Sequence, residues 1–247
     1  MSGHSHYATI KRQKESNDAQ KGQLFSKLAY EIAVATKVGK SGDIDTNYKL
    51  RVAVDRARAA NMPKDNIERA ITKALGTGGT FDEVTYEGYG PQGIAVIIEA
   101  ATDNRNRTAQ EIKNIFERGG GNLAGPGAVS FNFEPRGLIT AKKESNPEEQ
   151  MLKLIESGAE DMQEIEDEIE VYVAPSKLSD VRKKLEENGS KVTSFELIQK
   201  PKNLQTVSDV SEVKKILGFL DNLNDHPDVL KVFANLDIPE EVIKQIS

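Results

Sequence analysis

Tyr86-Glu87-Gly88-Tyr89-Gly90-Pro91-Gln92-Gly93-Ile94-Ala95-Val96-Ile97-Ile98 is the stretch on which the fold turns. By letter, Gly88 to Gly93 reads G-x-G-x-x-G, a pattern that binds dinucleotides when it follows a strand and opens a helix. Here Pro91 stands inside the pattern, and an apolar run, residues 94–100, follows it. That run is a strand apolar enough to be central, so the glycines make a tight hairpin turn between it and the strand at 84–89. The chain is therefore expected to contain an antiparallel sheet and to be α+β.

Upstream the period is helical. Leu24, Leu28, Ile32 and Ala35 share one helix face, and Gly39 and Gly42 end that helix. A second helix is expected after Asp45 or Thr46, with Leu50, Ala53, Val54 and Ala57 as its apolar stripe and Arg51, Asp55 and Arg58 pointing elsewhere. Asn61-Met62-Pro63 breaks it, and Pro63 suits the first turn of a third helix that buries Ile67, Ala70, Ile71 and Ala74. Residues 1–16 show no hydrophobic periodicity and read as a mobile basic tail. Residues 1–75 thus form a basic helical domain with its tail, and the glycine-rich 76–80 is a linker.

Downstream, Thr108 and Glu111 read as a capping box for a helix that runs to about Arg118 and stops at Gly119-Gly120-Gly121. Residues 128–133 alternate as a strand with Val129, Phe131 and Phe133 on one face. Residues 138–199 then run strand, helix, two strands, helix, strand, which is a ferredoxin-like order. After a second linker at 201–208 come a helix (210–223) and a short strand (229–234). The expected domains are 1–75, 80–134 plus 201–247, and an inserted 135–200.

Composition narrows the function classes. No cysteine is present, so disulfides and thiolate chemistry are excluded. No apolar run approaches the roughly 20 residues of a membrane helix, and the polar opening segment has no signal core. A cytoplasmic address without membrane contact is expected. The net charge of −6 disfavours nucleic acid at first sight, but its distribution does not. Residues 1–73 hold 14 Lys+Arg against 8 Asp+Glu. That leaves 19 and 31 of the chain's 33 and 39 for the remainder. A basic end on an acidic body points to a polyanion partner.

Two clusters suit phosphate. In the tail, Lys11, Arg12 and Lys14 accompany Tyr7, His4 and His6, with Lys21 and Lys27 continuing the charge into the first helix. Between strand and helix, Asp103-Asn104-Arg105-Asn106-Arg107-Thr108 sets two arginines at a helix amino terminus, where an anion is favoured. The competing reading is a capped turn whose arginines pair with nearby acids. Lys11, Arg12, Lys14, Lys21, Lys27, Arg51, Arg58, Arg105 and Arg107 are the candidate nucleic-acid contacts. Catalysis has little footing: there are three histidines, no G-x-S-x-G elbow and no metal-ligand spacing. Ser2-Gly3-His4 could chelate Cu(II) or Ni(II) only if Met1 were removed; no metal or cofactor is expected.

Several motifs together resemble the YebC/PmpR family: Gly3-His4-Ser5 with Ile10-Lys11, Arg58-Ala59-Ala60-Asn61-Met62-Pro63-Lys64-Asp65-Asn66-Ile67-Glu68, Tyr86 to Pro91, Thr102 to Thr108, and Ala234-Asn235-Leu236-Asp237-Ile238-Pro239. His6 and Tyr7 stand where that family usually has lysine and tryptophan. The resemblance implies a helical domain followed by two α+β domains around a central cleft. It also implies a non-enzymatic regulator of gene expression, either a DNA-binding transcriptional regulator or a ribosome-associated translation factor that relieves stalling. Neither a helix-turn-helix reader nor an RNA-recognition aromatic signature is evident, so the ribosome-associated reading, with ribosomal RNA as partner and the protein acting as a monomer, is favoured. A third hypothesis, an enzyme acting on a phosphorylated ligand in the cleft around Arg105 and Arg107, is argued against by the missing nucleophile and base.

Overall fold

The computed structural model describes residues 18–76, 82–165 and 167–246. Three helices come first: α1 (Asp18–Gly39), α2 (Tyr48–Ala59) and α3 (Lys64–Leu75). Leu28, Ile32, Leu50, Val54, Ala57 and Ile67 fill the space between them, on the stripes the sequence indicates. The cap of α2 is Asn47 rather than Asp45 or Thr46. Its side-chain oxygen accepts the Leu50 N–H at 3.1 Å, and its amide donates to the Ala35 carbonyl at 2.8 Å. One asparagine thus starts α2 and fastens it to the end of α1.

Strands β1 (Asp82–Tyr89) and β2 (Ala95–Thr102) form the hairpin, antiparallel from Tyr89↔Ala95 to Asp82↔Thr102. The turn puts Gln92 at φ 58° and Gly93 at φ 73°. Gly88 serves packing: a Cβ there would lie 2.6 Å from the Phe116 ring and 2.7 Å from the Asn122 carbonyl. Helix α4 (Arg105–Arg118) and the short β3 (Asn122–Ala124) follow. Much later in the chain, α7 (Val210–Asp225) and β9 (Val229–Ala234) return, giving the sheet order β3-β1-β2-β9. Ile94, Val96, Ile98 and Ala100 face α4 and α7, while Ala95 and Ile97 pack on Val129 and Phe133. Short strands β8 (Gln205–Thr206) and β10 (Leu236–Asp237) pair in parallel, and α8 (Glu240–Ile246), which the periodicity does not reveal, closes the described residues.

The second sheet comes from β4 (Phe133–Lys142), α5 (Pro147–Ser157), β5 (Asp161–Ile165), β6 (Glu168–Val173), α6 (Leu178–Glu187) and β7 (Val192–Pro201). Its order, β5-β6-β4-β7, is antiparallel throughout, the ferredoxin-like arrangement. The chain is α+β. Ile139, Leu154, Val171, Val173, Leu178 and Leu185 form this second core, and Val52 of α2 packs into it. Beside Val52, Asp55 meets Ser179 Oγ at 3.2 Å and Arg182 at 3.4 Å.

Two local expectations are corrected. Residues 128–133 are not a strand: Ser130–Asn132 is a 3-10 turn and β4 begins at Phe133. The cause is the buried Glu87 carboxylate, which accepts N–H bonds from Gly127 (2.8 Å), Val129 (2.8 Å) and Ser130 (2.9 Å). Those donors are withdrawn from any ladder, and the turn swings Phe131 outward to 69% exposure while Val129 and Phe133 stay buried. Helix α4 begins at Arg105, before Thr108. Asn104 caps it by accepting the Arg107 N–H at 3.1 Å, and the Thr108 hydroxyl is spent inside the protein.

Burial alone would raise the Glu87 carboxyl, and the three N–H donors outweigh it, so the group sits below the usual carboxylate range. Its stabilising effect is therefore full above the unfolded value of about 4.3 and fades as pH falls through the lower folded value. Glu87→Gln is expected to cost about 2 kcal/mol at neutral pH, the scale of lost charge-assisted bonds, and to flatten the acid side of the stability curve. Urea denaturation from pH 7 down to 3 measures both; an unchanged pH profile would refute the role.

Candidate nucleic-acid interface

Charge in the helical unit is only partly available to a ligand. Lys11, Arg12, Lys14 and the side chain of Lys21 lie outside the described residues. Lys27 is half-buried, and its ammonium donates to the Asn224 carbonyl at the end of α7, tying α1 to the first sheet's helices. Arg51 faces the ferredoxin-like body, 3.6 Å from Asp180, with its side chain 25% exposed. Docking rather than open solvent claims it. Arg56 pairs with Glu31 across the helices. Arg58 pairs loosely with Asp55 at 3.8 Å, but its side chain is 59% exposed. With Lys40, Lys49, Lys64, Arg69 and Lys73, also exposed, it makes up the cationic surface of α1–α3. Helix α3 itself carries mixed charge: Lys64 pairs with Glu68 at 3.3 Å, and Asp65 lies in the first turn.

The strand-to-helix turn is built around Asp228, which precedes β9. The buried Thr108 donates to its carboxylate at 2.5 Å. Thr108 also lies 2.7 Å from Thr102 Oγ1, which accepts the Asn104 N–H at 2.9 Å. Arg107 reaches the same carboxylate at 2.8 Å and Asp103 at 3.1 Å, while Arg105 binds Asp82 at 2.9 Å. Burial pushes the Asp228 carboxyl up, but hydrogen bonds from Thr108, Arg107 and Thr102 overcome it and leave it below the ordinary range. Arg107 is held above its ordinary value by the hydrogen bond to Asp228 and that group's charge. Both arginines are exposed at the helix amino terminus, and both are matched by carboxylates, the geometry of the capped turn. His226 completes the corner: its Nδ1 accepts the Asp228 N–H at 3.2 Å, and its Nε2 lies 2.9 Å from Glu111.

A cleft of ≈310 Å³ opens where α1 and α2, the first sheet and the second sheet meet. Arg105 and Arg107 do not line it. Its polar walls include Glu83, Glu99, Lys49, Arg136 and Lys231. Enclosure raises the Glu83 carboxyl above its ordinary range; Lys49 pulls it down and Glu99 pushes it up. Two carboxylates leaning on one another disfavour a phosphate here. The sequence carries a signal for this pair only once the hairpin register is known, since Thr85↔Glu99 and Glu83↔Ala101 put both acids on one face.

Comparisons with known proteins bear on the whole chain. Residues 5–77 match the family described as TACO1/YebC protein N-terminal domain, and residues 81–236 that described as TACO1/YebC second and third domain. A protein of Dictyoglomus turgidum named "Probable transcriptional regulatory protein" is 48% identical over 251 residues, covering 100% of both chains. One of the same name from Roseiflexus castenholzii is 47% identical, covering 99% of this chain and 98% of its own. Among solved structures, a conserved hypothetical protein of Aquifex aeolicus matches with a TM-score of 0.81 at 43% identity, covering 90% of this chain and 93% of that one.

Removing the exposed arginines and removing the acid they share should differ sharply. Arg105→Ala with Arg107→Ala is expected to leave the denaturation midpoint within experimental error, since exposed ion pairs contribute little. Asp228→Ala removes the carboxylate on which Thr108, Thr102 and Arg107 converge and should cost about 2 kcal/mol. A larger loss from the arginine pair than from Asp228, read by chemical denaturation, would overturn this ranking.

Proposed function

Because this chain belongs to the TACO1/YebC family, we propose that it is a non-enzymatic, nucleic-acid-binding regulator of gene expression that acts on the ribosome and relieves its stalling. The observation that carries this is the partition of charge: 14 Lys+Arg against 8 Asp+Glu in residues 1–73, on a remainder with 19 against 31. A basic end draws in phosphates, while the acidic body resists collapse onto them. A ribosome-bound factor needs shape fit and phosphate contacts. A promoter reader needs side chains that sort base edges in the major groove, most often from a helix repeated by dimer symmetry. The mixed charge of α3 suits the first task better. The protein acts as a monomer in the cytoplasm in this reading, and no helix among the described residues is long and apolar enough to cross a membrane. Catalysis has no part in it: His226 is engaged at both ring nitrogens.

A second reading, DNA-binding transcriptional regulation, is favoured by the names of the relatives from Dictyoglomus and Roseiflexus.

Changing Lys11, Arg12 and Lys14 to Ala should weaken binding alike on all sequences. The salt slope should fall by about 0.9 per lost phosphate contact on duplex DNA, or about 0.7 on single strands. The wild-type chain should sediment with ribosomes at low salt and leave them at high salt. On DNA it should show far less than the roughly 10³-fold discrimination of true operators. A strong preference for one promoter fragment over scrambled DNA, with no ribosome association, would leave the transcriptional reading standing instead.

A further inference from the structure

The acidic body carries a concave surface of the opposite sign. Between the carboxyl end of α4 and the middle of α7 lies a groove of ≈550 Å³, into which Arg118, Lys214 and Lys215 converge. Among the described residues, no carboxylate lines it. Lys215 is steadied by Glu212 at 2.7 Å, a residue that also accepts Gln92 at 2.9 Å. Arg118 and Lys214 are exposed and form no ion pair among the described residues. This sets them apart from Arg51, Arg56, Arg105, Arg107 and Arg182, each of which meets an acid. The carbonyl end of α4 is negative by its dipole, and two uncompensated cations beside it turn the local field positive.

The floor of the groove supplies an independent observation. Gly218 lies in the interior of α7, where glycine is a poorer helix former than any residue but proline. Close packing does not explain it, because a Cβ built there would meet nothing within 4 Å. Gly119 is different: its Cβ would strike the Phe219 ring at 2.4 Å, so its smallness lets α4 and α7 close together. Gly218 instead leaves a bare strip of backbone at the bottom of a cationic groove, with the amide of Asn222 one turn further along the same helix. Bare backbone flanked by arginine and lysine admits a tetrahedral, multiply charged oxyanion close to the helix surface.

We infer that this groove is a phosphate-binding site, with Arg118 as a forked donor, Lys214 and Lys215 as point charges, and Gly218 as the open floor. Under the proposed function, on which this assignment of source rests, the phosphates belong to the nucleic-acid backbone. The groove is then a second contact, on the body of the protein, beside the basic amino-terminal third. Two phosphate contacts far apart in the chain would fix the orientation of the body on its target, which a tail alone cannot do.

The test uses the full-length chain, a mixed-sequence fluorescent single-stranded oligonucleotide and a salt series. Arg118→Glu with Lys214→Glu should weaken binding by about tenfold and lower the slope by about 1.4, the value for two phosphates on a single strand. Gly218→Leu fills the floor with a better helix former. It should melt no lower than the wild type and still bind more weakly, an outcome that a purely structural glycine would not produce. If both variants keep wild-type affinity and slope while the Lys11, Arg12, Lys14 variant loses them, the groove assignment is overturned and the proposed function stands. If the wild type binds no nucleic acid at all, the proposed function fails, and amide NMR with inorganic pyrophosphate then decides the groove. A saturable shift around Gly218, lost in the Arg118, Lys214 variant, supports a site for a free phosphorylated ligand; no shift overturns the site.

Discussion

Strand β2 is buried on both faces and hydrogen-bonded on both edges, and the rest of the molecule is arranged to satisfy it. Its edges take β1 on one side and β9 on the other. One face, with Val96, Ile98 and Ala100, is covered by α4 and α7; the other, with Ala95 and Ile97, is covered by Val129, Phe133 and the parts around the cleft. A strand with no solvated side needs two layers of cover and two partners. The chain meets this by returning to the first sheet after completing the second. The β-bulge between Glu99 and Ala100 lies opposite β9, close to Asp228. The corner that carries Asp228, Thr102 and Thr108 therefore seals the end of the strand on which the sheet depends.

The same economy explains the electrostatics. Much of the arginine complement holds parts of the molecule together: Arg51 and Arg182 where α2 meets α6, Arg56 between α1 and α2, Arg107 at the Asp228 corner, Arg136 against Glu134 and Glu160. Forked donors are suited to half-buried contacts with acids. Among the described residues, the exposed cations of α1–α3 and the pair at Arg118 and Lys214 lie outside those clamps. Lysines on a surface give affinity and orientation without sequence discrimination.

Period and punctuation made much of the fold legible. The stripes Leu28-Ile32-Ala35 and Leu50-Ala53-Val54-Ala57 are the buried ones, Pro91 marks the hairpin, and the alternation of elements in 138–199 is the ferredoxin-like unit. The misreadings share a cause: a side chain drawn away by a residue distant in sequence. Glu87 draws the amides of Gly127, Val129 and Ser130 out of an extended strand, and Asp228 draws the Thr108 hydroxyl away from the helix cap. Asn47, next to the expected Asp45 and Thr46, became the cap because it alone also reaches the Ala35 carbonyl.

By itself the sequence determined what local spacing controls: the helices of the basic third, the hairpin instead of a dinucleotide loop, the α+β class, the absence of thiol chemistry, and the separation of positive from negative charge. These follow from the chain's own periodicities and residue types, which no partner can alter. Only the tertiary structure decided which charges are free. Whether an arginine is a ligand contact or a clamp depends on whether an acid from another element arrives within about 4 Å. Asp82 and Asp228 reach Arg105 and Arg107, Asp180 reaches Arg51, and among the described residues no carboxylate lines the groove at Arg118 and Lys214. Coulomb energy falls with distance in space, and distance along the chain does not determine it.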